Sequence, residues 1–387
     1  MKKAILLAAL MFISLIPASY AAPPAKYFVL MDDKSNHSFV PLRTLNGLDG
    51  IKTVWTAAEK RIDIIRDETQ LTMYLGKTQA IRNDEAIKLP DAPFTENGIT
   101  FVPLQAINDS FPLSLEWSKN TSSLTIHSKV TTDSSKADIN TNSLPYITKS
   151  AYEKMDKPII SERKTFKVGG KSYSTQMVTI SLLHPKVSLD VVLAGDKAGK
   201  VEDLSSIAKR SKATVAINGT FFDAYTTGDY KGPYGYIISG GDIAHKSSGD
   251  LRTVFTFSNN MLAELIPGAD FPSRFAEGSI QGGLQAGPRL VVNGKVALNI
   301  AEEGFKDPKI LTGGGARSAL GVTRDHKLIL LTTGGATIPQ LAEIMRQAGA
   351  YQAMNLDGGA SSGLYYNGKY LTTPGRKISN AIVVKTQ

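Results

Sequence analysis

The chain has 387 residues, enough for two or three separately packed domains, with 44 Lys and Arg against 35 Asp and Glu and a formal charge of +9. It contains no cysteine. That excludes a disulfide framework and thiolate metal sites, leaving packing or bound ions to hold the fold.

In chain order, residues 1–21 (MKKAILLAALMFISLIPASYA) place two lysines before an apolar run from Ala4 to Ile16 and end on Ser19-Tyr20-Ala21. This is the pattern of a secretory signal peptide with a small-x-small cleavage site. A membrane anchor needs about 20 apolar residues, and this run is shorter and stops at Pro17. The expectation is export with cleavage, giving a secreted, extracellular or wall-associated protein without membrane contact. Loss of Lys2 and Lys3 takes the formal charge from +9 to +7. Outside a cell that balance suits an anionic polymer such as a phosphate-bearing wall glycan, and not nucleic acid.

The next region contains a repeat. HSFVPLRTLNG (37–47) and ITFVPLQAIND (99–109) align at an offset of 62, which also carries Trp55, Ile62 and Ile64 onto Trp117, Leu124 and Ile126. Each copy reads as a short strand, a Pro-led helical turn and a strand–turn–strand with period-2 alternation, as in Arg61-Ile62-Asp63-Ile64. Residues 22–128 are therefore expected to form one small α+β domain of two related halves. The segment resembles the copper amine oxidase N-terminal-like, or stalk, domains. That resemblance implies an accessory module able to contact cell-wall polymer. It does not imply copper here, because His37 and His127 lack ligand spacing. Residues 129–150 are polar, rich in Ser, Thr, Asp and Asn, and read as a linker.

From 151 to 387, β-branched and aromatic runs alternate with Gly-rich turns, as in VSLDVVLAG, RLVVNGKVAL and GLYYNGKYL, which argues an antiparallel-rich sheet. Two helices stand out. One follows Asp203 (DLSSIAKRSK). The other is TIPQLAEIMRQAG, with Thr337 as N-cap, an apolar face of Ile338, Leu341, Ile344, Met345 and Ala348, and Gly349 as the stop. The expected class is α+β: a small duplicated α+β domain, then a larger antiparallel-rich sheet domain with few helices. No GxGxxG or GxxxxGK[ST] follows a strand, so no nucleotide cofactor is implied.

Four segments of this second domain concentrate polar chemistry beside glycine: AINGTFFD (216–223), QAGPRLVVNGK (285–295), GGGARSALGV (313–322) and NLDGGASS (355–362). Together they resemble the phosphodiester glycosidase family, related to the enzyme that removes N-acetylglucosamine from a sugar-1-phosphodiester. The family's loop looks like NLDGGGSS and its early motif like NGGFF, so Ala360 and Thr220 are departures. The resemblance implies hydrolysis of a glycosyl-1-phosphodiester, of N-acetylglucosamine type, in wall or extracellular glycan.

Cleavage of such a bond at the anomeric carbon expels a phosphomonoester, a better leaving group than an alcohol, so strong general-acid assistance is less necessary. The site needs a phosphate cradle and a carboxylate for the anomeric carbon or its water. Arg317 is the first choice for phosphate, since a guanidinium makes paired, permanently charged hydrogen bonds to its oxygens. The amides of Gly358 and Gly359 and the Ser361 hydroxyl could supplement it, with Arg289 and Arg376 as weaker candidates. Asp357 is the first choice for the carboxylate, with Asp223 or Glu303 as its partner. Asn218 and Asn355 could bond sugar hydroxyls or orient the carboxylate. No cofactor is required; Asp357 and Asp223 are hard oxygen donors that could hold Ca²⁺ or Mg²⁺. Two rival readings are a non-catalytic wall-glycan or exopolysaccharide binder and a phosphodiesterase that releases sugar phosphate.

Overall fold

The computed structural model describes residues 26–127, 142–247 and 251–386. The proposed signal peptide and most of the proposed linker lie outside these residues. Strand predominates, in several antiparallel sheets with few helices. The result is a mostly β protein, more so than the α+β class expected. The two anticipated helices are present as Leu204–Arg210 and Ile338–Gln347. The latter begins in a capping box between Thr337 and Gln340 and ends before Gly349, whose φ of +94° suits a residue without a side chain. The Pro-led helical turn of the second copy is the helix Leu104–Ser110 after Pro103, whereas Pro308–Leu311 spans too few residues to show a period in the sequence.

The N-terminal region holds two sheets. One is the five-stranded meander of Lys52–Thr56, Arg61–Arg66, Thr69–Tyr74, Gln79–Arg82 and Glu85–Lys88. The other has seven strands, in the order Ser114–Ser118, Ser123–His127, Asn142–Thr148, Val29–Met31, Ser38–Pro41, Ile99–Pro103 and Phe94–Glu96. At the offset of 62, strands Ser38–Pro41, Lys52–Thr56 and Arg61–Arg66 correspond to Ile99–Pro103, Ser114–Ser118 and Ser123–His127. The copies are not two equal halves, because the strand pair of the first belongs to the meander and that of the second to the seven-stranded sheet.

Residues 142–148, read as the end of a linker, are a strand, paired antiparallel to Ser123–His127 and parallel to Val29–Met31. Alternation in this sheet explains why. Phe28, Leu30, Phe39, Phe101 and Ile147 enter a cluster shared with Val178, Ile180 and Leu182 of the C-terminal region, while Val29, Val40, Val102 and Leu144 face the N-terminal core. A sheet apolar on both faces needs cover on both. The two regions are thus packed together, and His326 and Lys26 bind across the junction: His326 Nε2 bonds the Ser122 and Tyr146 carbonyls, and Lys26 Nζ donates to those of Leu182 and His184.

The C-terminal region contains three sheets. A seven-stranded sheet runs Ile159–Val168, Lys171–Ser181, Lys327–Ala336, Gly315–Val322, Gln352–Asn355, Arg289–Val292, Lys295–Val296. A five-stranded sheet runs Val187–Leu193, Asn380–Thr386, Val215–Asn218, Leu364–Tyr366, Lys369–Thr372. The third is centred on Ile280–Gln285, between Ile237–Ser239 and Val254–Ser258. No helix among the described residues is long and apolar enough to cross a membrane.

Candidate active site

Antiparallel register brings the glycine-rich segments together. Ala319 pairs with Asn355, so the start of strand Gly315–Val322 lies beside the end of Gln352–Asn355, and two residues further on Arg317 is level with Asp357. Asn218 pairs with Ala381 in the same way, which sets the loop after Asn218 beside the segment that enters strand Asn380–Thr386. A cleft of about 530 Å³ opens at these strand ends, lined by Asp223, Asp307, Arg317, Asp357, Gly358, Gly359 and Arg376, with Phe221, Phe222, Tyr225 and Tyr234 as an aromatic side.

Asp357 is 7% exposed. Burial pushes its carboxyl up to about 6, against the opposing pull of the Ser361 hydroxyl, the Arg376 charge and the Gly358 amide. Arg376 Nη2 is 3.9 Å from Asp357 Oδ2, and its Nε donates to Ser361 Oγ at 2.7 Å. The same guanidinium lies 5.3 Å from the ring centre of Phe222 and 5.5 Å from that of Tyr225, within cation–π range of both. Arg376, a weaker candidate from sequence, is therefore the cation nearest the Asp357 carboxyl.

Arg317 is buried, and burial lowers its pKa against the opposing charge of Asp307. Nε donates to the Ala336 carbonyl at 2.9 Å, and Nη2 to those of Lys309 and Gly313 at 2.7 Å each. These bonds fix the plane of the fork without neutralising its charge, and no carboxylate pairs with it among the described residues. Its Nη1 would lie 3.8 Å from a Cβ built at Gly358, which would also press on the Ala316 carbonyl at 3.0 Å. Glycine at 358 keeps the space between the two segments open.

Asn218 and Asn355 are buried and do not line the cleft. Asn218 is a three-way tie: Nδ2 donates to the Asp357 carbonyl at 2.6 Å, and Oδ1 accepts from Ser318 Oγ at 2.7 Å and the Gly363 amide at 3.0 Å. It sets the Asp357 backbone. Asn355 Nδ2 donates to the Gly287 carbonyl at 2.8 Å. Ser361, also buried, reaches the cleft only through Arg376 and Asp357. Asp223 lines the cleft and accepts from the Thr226 amide at 3.0 Å, as a turn-capping Asp does.

The structure places Glu303 and Arg289 elsewhere. Glu303 accepts from the amides of Arg289 (2.5 Å) and Thr253 (2.8 Å) and from Thr253 Oγ1 (3.0 Å), and burial raises its pKa. Arg289 donates to the Leu265 carbonyl at 2.7 Å and to Gln352 Oε1 at 2.5 Å, beside a separate hollow of about 190 Å³. Both clamp chain segments and neither faces the cleft. Thr220 is likewise turned away: its hydroxyl donates to the Gln285 carbonyl and its amide to Asn380 Oδ1 at 3.1 Å, so it does not narrow the cleft. Ala360 is at the rim. Among the described residues no three His, Cys, Asp or Glu side chains cluster as a metal site.

Sequence reading did not single out Asp307, Tyr225, Tyr234 or Arg252. Arg252 packs 4.4 Å from the ring centre of Phe305 and 5.5 Å from that of Phe221, and it lines the cleft from a distant segment. Only the FF pair of AINGTFFD hinted at the aromatic side.

An antiparallel β domain with a buried carboxyl and three guanidiniums, those of Arg252, Arg317 and Arg376, at one cleft is the class this geometry defines. Residues 211–385 match the family model of the phosphodiester glycosidases, and residues 29–126 that of the copper amine oxidase N-terminal domain. Both resemblances drawn from the motifs are thereby shown. The fold is similar to that of the catalytic domain of zebrafish N-acetylglucosamine-1-phosphodiester alpha-N-acetylglucosaminidase, with TM-score 0.51 at 22% identity over 60% of this chain and 85% of that one. A hypothetical protein from Synechocystis is similar along nearly the whole length, with TM-score 0.54 at 14% identity over 94% of this chain and 99% of that one. No curated protein matches the sequence.

Proposed function

We propose that the protein is a secreted hydrolase that cleaves the glycosidic C–O bond of a glycosyl-1-phosphodiester, with N-acetylglucosamine as the sugar and wall or extracellular glycan as its source. The observation that carries this reading is the single cleft lined by Asp357, Arg317 and Arg376. The family match over residues 211–385 supports the reaction class.

In this reading the phosphate lies between Arg317 and Arg376, whose charges stabilise the phosphomonoester as it leaves. The aromatic side receives the sugar. Ionised Asp357 attacks the anomeric carbon or takes the proton of the attacking water, and Asp223, which lines the cleft together with Asp307, is the candidate partner carboxyl. With the Asp357 carboxyl at about 6, it is ionised at neutral pH and still a competent base. Asn218 keeps its backbone in place. A divalent ion between Asp357 and Asp223 is not needed for this scheme.

The test is incubation of wild type, Asp357→Asn and Arg317→Ala with UDP-N-acetylglucosamine and a second N-acetylglucosamine-1-phosphodiester, with products resolved by mass. Free N-acetylglucosamine plus a phosphomonoester, lost in both variants, is the expected outcome. Sugar phosphate as product would make the protein a phosphodiesterase, and absence of turnover on such diesters would make it a glycan binder.

A further inference from the structure

The N-terminal region contains a second concave site. A cavity of about 300 Å³ lies between its two sheets, lined by Tyr27, Arg43, Thr53, Trp55, Ile99 and Thr100 among others. That is the lower end of the range for ligand pockets. Thr53 and Trp55 are two apart on strand Lys52–Thr56, an edge strand, so both project to the same face. Trp55 is 43% exposed and lines the cavity, so its indole is open to a ligand there. Arg43 is exposed at this cavity and makes no hydrogen bond or ion pair among the described residues.

The repeat provides an internal control. Trp117 occupies the equivalent place and is 42% exposed, but its ring packs 5.5 Å from that of Tyr146 and it is not among the residues lining this cavity. At the position equivalent to Arg43 the second copy has Gln105. The pairing of an open indole with a guanidinium unpaired among the described residues thus belongs to the first copy, and Thr100 of the second copy completes the lining.

We infer that this cavity is a glycan-binding site that takes a sugar phosphate unit of a polymer, the pyranose ring on Trp55 and the phosphate on Arg43. The C–H face of a pyranose covers an indole, Thr53 and Thr100 can bond its hydroxyls, and a guanidinium forks onto phosphate. Residues 26–127 hold 11 Lys and Arg against 13 Asp and Glu, so the anion is drawn by Arg43 locally and not by a basic surface. The choice of N-acetylglucosamine as the sugar rests on the reading of the cleft. Packed against the C-terminal region, the site would hold the polymer while the cleft works on it, raising the effective concentration of scissile bonds.

Trp55 and Trp117 are the chain's only tryptophans, so tryptophan fluorescence reports this region and is blind to the cleft. The experiment uses the full chain carrying Trp117→Phe and Asp357→Asn, titrated with N-acetylglucosamine 1-phosphate. A saturable change in Trp55 emission in the millimolar range is expected. Adding Arg43→Ala should weaken it about tenfold, as should replacing the ligand with N-acetylglucosamine. A flat titration, or one that Arg43→Ala leaves unchanged, would overturn the inference. No turnover is required: a saturating titration stands if the cleft proves inactive, and a flat one beside sugar release removes this site alone.

Discussion

Two buried acid–arginine clusters in the C-terminal region are built from the same residue types and differ in what they leave open. Glu303 and Asp357 are each 7% exposed, and burial raises the pKa of both. Arg289 and Arg317 are both lowered by burial, Arg289 to about 10. Around Glu303 both oxygens accept bonds from Arg289 and Thr253, and the guanidinium of Arg289 is held by Leu265 and Gln352. Around Asp357 the bonds hold Arg317 from behind, Arg376 stays 3.9 Å away, and a cleft lies in front. A shifted pKa therefore does not separate the two clusters; access to a ligand-sized space does.

The largest expected contrast comes from removing each carboxylate's charge. Asp357→Asn should lower kcat by about 10³-fold, whereas Glu303→Gln should leave activity per folded molecule within about twofold. Stability should move the opposite way. The Asp357 pKa is raised above the ordinary carboxylate value, so its contribution to stability is present at low pH and is lost as pH rises through about 6. Asp357→Asn should match wild type near pH 4 and exceed it at pH 7.5 by roughly 1–3 kcal/mol, read from melting curves across that window. A constant difference across pH would refute the assignment.

Next are the arginines. Arg317→Ala should cut kcat/KM for a sugar phosphodiester by roughly 10²–10³-fold. Arg289→Ala should lose about 2–4 kcal/mol of stability from unanswered buried groups, with kcat/KM per folded molecule within about threefold. Equal kinetic losses in the two variants would erase the distinction.

Smaller effects sharpen the picture. Arg376 holds the Asp357 carboxyl down, so Arg376→Ala should move the acid limb of the kcat/KM–pH profile above about 6. An unmoved limb would show that another group titrates there. Glu303→Gln turns an amide toward two backbone N–H donors and should cost about 1–3 kcal/mol by chemical denaturation.

The sequence was most legible where local chemistry is strong. Thr337, the apolar face from Ile338 to Met345 and Gly349 define their helix without help from the rest of the chain. Asp357 and Arg317 were legible because glycines beside them mark places where backbone must come close. Side-chain direction at strand ends was not legible: Asn218, Thr220 and Glu303 face inward to backbone partners that only strand pairing supplies. Nor was the strand at 142–148, a polar-flanked run whose pairing partners lie over a hundred residues upstream in one direction and across 128–141 in the other. Tyr225 is 80% exposed and Arg252 acts from a separate segment, so no local pattern ties either to the cleft.

In the proposed reaction Asp357, with Arg317 and Arg376, breaks a sugar carbon–oxygen bond and not a phosphorus–oxygen bond. Hydrolysis of an N-acetylglucosamine-1-phosphodiester in ¹⁸O-labelled water by the wild-type protein, with mass analysis of both products, tests it directly. The account predicts the label in free N-acetylglucosamine and none in the phosphomonoester. Label on phosphorus would contradict it.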